Sequence, residues 1–86
     1  MTKYEMQYGF NGEDTIRFLK DTNIDKFFYA VSRVIAFQDC NDIVIYGILI
    51  DDKLIHYTGW QPDCVFTYVD EDGNIVYENQ YPQFDH

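Results

Sequence analysis

At 86 residues, with 47% hydrophobic and 19% aromatic content, the chain has room for one folded domain and too much apolar substance for an acidic disordered tail. Its formal charge of −9 lies entirely beyond Gln38. Residues 1–38 balance Glu5, Glu13, Asp14, Asp21 and Asp25 against Lys3, Arg17, Lys20, Lys26 and Arg33, whereas Asp39, Asp42, Asp51, Asp52, Asp63, Asp70, Glu71, Asp72, Glu78 and Asp85 meet Lys53 alone. Such acidity argues against direct contact with nucleic acid or an anionic membrane, and no apolar run approaches the roughly 20 residues that span a bilayer.

Met1-Thr2-Lys3-Tyr4-Glu5 shows no secretory pattern, which points to a cytoplasmic setting. Tyr4, Met6, Tyr8 and Phe10 alternate with Lys3, Glu5, Gln7 and Gly9, the period of a strand, and Asn11-Gly12 is a strong turn. Beyond it, residues 13–20 read either as a returning strand with Ile16 and Phe18 inward or as a short helix begun by Glu13-Asp14, the strand being favoured.

Next comes a helix over residues 23–37. Ile24, Phe27, Phe28, Val31, Val34 and Ile35 fall on one stripe, with Thr22 and Asp25 in a capping relation ahead of it and Asp21 and Asp25 beside the positive end of its dipole. Four β-type runs follow, at 43–50, 53–58, 64–69 and 74–78, joined by connections so short that only antiparallel neighbours are allowed. The first of these is apolar on both faces, Ile43, Ile45 and Leu49 on one and Val44, Tyr46, Ile48 and Ile50 on the other, and is expected to be the most enclosed strand. Residues 79–86, with Pro82 and two aromatics, are expected to form an extended strap. The expected fold class is α+β, one amphipathic helix on a curved antiparallel sheet within a single domain, 1–86.

In a meander, alternate turns fall at opposite ends of the sheet. Asp51 and Asp52 therefore share a rim with Asp70, Glu71 and Asp72, their turns roughly 10 Å apart. Turn chemistry and solubility account for aspartates at such places. A patch of five carboxylates lightly offset by Lys53 also makes a negative field suited to a basic surface or to mimicry of phosphates. Calcium is a poor fit: with Gly73 at the sixth place of a twelve-residue loop, the first and twelfth would be Tyr68 and Asn79, neither a carboxylate. Cys40 and Cys64 are expected to be free thiols, and with His56 and His86 they lack zinc-ligand spacing. Cys64 would be an activated nucleophile only with His56 opposite it, and no oxyanion-hole motif is evident; neither catalysis nor a cofactor is expected.

Eight tyrosines exceed what so small a core hides with their hydroxyls satisfied. Tyr57, Trp60, Tyr68 and Tyr77, together with Tyr81, are therefore expected to be partly exposed, and the first four are candidate partner-binding residues beside Asp51, Asp52, Asp70, Glu71 and Asp72. The reading that follows is a small non-catalytic binding protein that occludes a basic site on a partner protein, such as a nucleic-acid-handling enzyme. In size and charge, though in no shared motif, the chain resembles the short acidic inhibitors that phages and mobile elements direct at host enzymes of that kind. The alternatives are a self-associating domain, a homodimer for instance, whose acidity serves solubility, or a pocket for a small ligand between helix and sheet.

Overall fold

The computed structural model describes residues 1–38, 42–58 and 65–80. The N-terminal alternation becomes β1 (Tyr4–Phe10), which turns at Gly12 and returns as β2 (Arg17–Asp21), resolving the choice between strand and helix in favour of the strand. The helix α1 (Ile24–Phe37) then carries the chain across the sheet to β3 (Ile43–Ile50), β4 (Lys53–Thr58), β5 (Val65–Val69) and β6 (Ile75–Gln80). All pairings are antiparallel, in the order β2-β1-β3-β4-β5-β6, so β2 and β6 are the edges of an open sheet. Strand β6 runs two residues into the stretch expected as a strap, and residues 81–86 lie outside the described part of the chain.

Capping of α1 differs from expectation. Asn23, not Thr22, is the N-cap and accepts the Lys26 amide at 3.0 Å, because the Asp21 carboxylate takes the Thr22 and Asn23 amides at 2.7 and 2.9 Å and turns the chain one residue later. The stripe itself packs as its period predicts: Phe27, Phe28, Val31 and Ile35 are buried against Met6, Ile48, Ile55, Phe66 and Tyr68 of the sheet. Each large apolar residue so enclosed contributes about 1.5–3 kcal/mol.

A β-bulge in β3 reverses the expected faces of half that strand. Register slips between Gln7 and Tyr8 of β1, which pair with Gly47 and Ile45, so Tyr46 is the extra residue. Ile45, Ile48 and Ile50 consequently pack with the helix-side core, while Val44, Tyr46 and Leu49 turn away. Simple alternation had put Ile45 with Leu49, and one extra residue breaks that pairing. The strand is central in the sheet but not enclosed, for Val44 and Tyr46 are exposed. On β2, Leu19 faces the core opposite Met6, leaving Phe18 exposed on the face away from the helix; Ile16, just before the strand, is exposed as well, and both were expected inward.

A hydrogen bond of 2.6 Å between the hydroxyls of Ser32 and Tyr68, both fully buried, ties helix to sheet. Tyr68→Phe is expected to lower stability by about 1–2 kcal/mol without changing the fold. Phe28→Asp, which places a charge among Tyr4, Phe27, Tyr68 and Tyr77, is expected to abolish the cooperative transition. Chemical denaturation followed by circular dichroism measures both.

Candidate functional site

The two acidic turns are built differently. Asp51 and Asp52 both take positive φ, 50° and 68°, as a two-residue type I′ hairpin requires. Asp51 also clamps this turn to the chain start: its amide donates to the Lys3 carbonyl, and its carboxylate accepts the Lys3 amide, each at 2.8 Å. The Lys3 ammonium lies 3.9 Å from Asp52. In the other turn, Gly73 at φ 86° closes the loop and the Asp70 carboxylate is turned inward, accepting the amides of Asp72 and Asn74 at 2.9 Å each. An oxygen held by N–H donors is oriented for the turn rather than for a cation, in keeping with the mismatch to a calcium loop.

Strand direction puts both turns at the same end of the sheet, as the meander argument requires. The rim is nevertheless less one-sided than the sequence implies. Lys3, from the neutral half of the chain, joins Lys53 there. Asp21 and Asp25 were missed as rim residues: β2 ends here, with Asp21 opposite Tyr4 and Tyr4 opposite Ile50, and so delivers the helix start to this end; the Asp25 carboxylate accepts the Tyr77 hydroxyl at 2.7 Å. With Asp51 and Asp70 engaged by backbone amides, the carboxylates that project into solvent from the two turns are those of Asp52, Glu71 and Asp72.

The tyrosines expected at an interface belong instead to the core layer. Tyr57, Tyr68 and Tyr77 are direct cross-strand neighbours on β4, β5 and β6, forming a row that faces the helix. Tyr68 is fully buried, which corrects its assignment as a partner-binding residue; Tyr57 and Tyr77 are half-buried. Tyr77 stacks on Phe28 at 4.5 Å with an interplanar angle of 13°. The expectation of partial exposure failed for Tyr68, whose hydroxyl meets Ser32 on the helix, whereas Tyr57 and Tyr77 are partly exposed, the Tyr77 hydroxyl donating to Asp25. Trp60, Cys40 and Cys64 lie outside the described residues. His56 pairs with Val69, and the histidine–thiol arrangement with Cys64 falls outside the described residues.

Sequence reasoning passed over Tyr46, a large aromatic that is 52% exposed. Its ring lies over Gly9, where a Cβ would come within 3.1 Å of Tyr46 Cε2, so the buried glycine is what lets the ring settle on the sheet. No family model, curated protein or solved structure matches this chain.

The turn amides, that of Asn74 foremost, hold the Asp70 carboxyl below the usual aspartate range. A depressed folded value means a stabilising contribution that is complete above the unfolded value and is lost as pH falls through the folded one. Asp70→Asn keeps an acceptor oxygen but no charge. The stability difference between wild type and Asp70→Asn is therefore expected to be constant near neutrality and to shrink below about pH 4, measured by denaturation at a series of pH values.

Proposed function

We propose that the protein is a small, non-catalytic acidic binding protein whose turn-bearing rim docks on a basic surface of a partner protein and occludes it. One observation carries this reading: two separate acidic turns lie at one end of the sheet, with Asp52, Glu71 and Asp72 projecting into solvent. Asp51 and Asp70 support it indirectly, since their backbone contacts fix the two turns from which those side chains project. A rigid rim loses little conformational entropy on docking, and a negative field accelerates encounter with a basic partner more than it deepens the final affinity. Nucleic-acid-handling enzymes are the partner class with the fitting surface, because their substrate grooves are lined for phosphates.

The test is a set of rim variants against a captured basic partner. Asp52→Asn, Glu71→Gln and Asp72→Asn together leave the turn-closing carboxylates intact and are expected to change stability by under about 0.5 kcal/mol. Association is expected to slow by roughly tenfold at low salt, and the salt dependence of the on-rate to flatten relative to wild type. Equal on-rates and equal salt slopes for the two proteins, by stopped flow or surface plasmon resonance, would leave the rim as a solubility device.

A further inference from the structure

The helix covers one face of the sheet. On the other, cross-strand neighbours set Phe18 against Gln7, Leu49 against Leu54, and Val69 against both His56 and Ile75. Tyr46 lies over Gly9, next to Val44. Leu49 and Leu54 converge above Gly47, whose missing side chain would lie 3.9 and 3.7 Å from them. Phe18 is 55% and Ile75 65% exposed, and Val44 and Leu54 are exposed as well. An antiparallel sheet with one face in water ordinarily alternates polar residues onto that face. Here much of it is aliphatic or aromatic, the composition of a surface that is covered by something.

Charge decides the occupant. The charged side chains that pair across this face are Glu5, Lys20 and Glu78. Glu5 is 3.8 Å from Lys20 and accepts the Gln7 side-chain amide at 2.8 Å, and Glu78 accepts the Thr67 hydroxyl at 3.1 Å. The free acids sit on the turns at the perimeter. Among the described residues a basic partner would find on this face Glu5, already beside Lys20, and Glu78, whereas a two-fold related copy, which sets like residues against like, requires such a near-neutral patch. Six strands about 4.8 Å apart, each spanning about 20 Å, give a footprint of roughly 500 Å² per copy and about 1,000 Å² in total, at the lower limit of specific interfaces.

We infer that the uncovered sheet face is a homodimer interface: two copies pack sheet on sheet through Tyr46, Leu49, Leu54 and Ile75, the acidic rims remaining free at the periphery. Association is weak and reversible, in the micromolar range that a footprint of this size supports. It opposes the mutual repulsion of two chains of charge −9, so salt strengthens it. The sign separates this inference from the rim reading, since a complex with a basic partner is weakened by salt.

Sedimentation velocity and light scattering on the full chain, under reducing conditions so that Cys40 and Cys64 form no intermolecular bridge, test it from low micromolar to millimolar concentration in low and high salt. Expected are a concentration-dependent monomer–dimer equilibrium that tightens with salt and a dissociation constant raised at least about tenfold by Leu54→Lys. Ile75→Lys, at a more exposed position, is a second probe should Leu54→Lys fail to fold. A monomer throughout the range in both salts would overturn the inference. So would a dimer that salt weakens, or one that a folded lysine variant leaves unchanged.

Discussion

The contact on which the rest of this structure depends is the meeting of Phe28 with the tyrosine row of the sheet. Phe28 lies 4.4 Å from Tyr68 and 4.5 Å from Tyr77, centroid to centroid, and Tyr4 approaches it from β1 at 6.3 Å. One side chain thus bridges strands that are far apart in the sheet order. Around it the hydroxyls find polar atoms on the helix, Ser32 for Tyr68 and Asp25 for Tyr77, so the aromatic layer is hydrophobic in bulk and directional at its edges. Apolar burial supplies most of the free energy, and the two hydroxyl contacts select one orientation of α1 over its neighbours.

Strand pairing composes the rim. The β1–β2 hairpin sets the end of β2 and the start of α1 at the end of the sheet that carries both acidic turns, which adds Asp21 and Asp25 to the acids there, while the Lys3–Asp51 clamp brings in a lysine. The local field is therefore a product of strand pairing as well as of sequence clustering. Glu71 and Asp72 owe their prominence to Asp70, whose carboxylate holds the backbone from which they project.

Features with a short period were legible in the sequence, and those set by single insertions or distant partners were not. The helix stripe from Ile24 to Ile35 repeats over several turns, so no local irregularity hides it, and the hairpin at Asp51-Asp52 has turn chemistry of its own. Tyr46, by contrast, sits in a bulge that nothing local announces, and its extra residue moves Ile48 and Ile50 to the face of Ile45. Residues 17–21 offered Phe18 and Leu19 as rival inward positions, and the register with Met6 decided for Leu19. Tyr68 was misplaced for a related reason: its partner Ser32 is 36 residues away, beyond any pattern a linear reading can weigh.

Strands β3 and β4 are joined by three ladder pairs, Ile48 to Ile55, Leu49 to Leu54 and Ile50 to Lys53, and β4 and β5 by three among the described residues, whereas β1 and β3 pair over seven. Strand β4 is thus held lightly on both sides, and α1 lies across the β3–β4 seam, next to the tight turn, as a splint. Local opening is easiest where few backbone bonds must break together, so amide exchange ought to be fastest along the far part of this seam and slowest at Met6 and Ile48. Relative rotation of the strands on either side of this seam would alter the spacing of the two acidic turns, each of which stays fixed by its own backbone contacts.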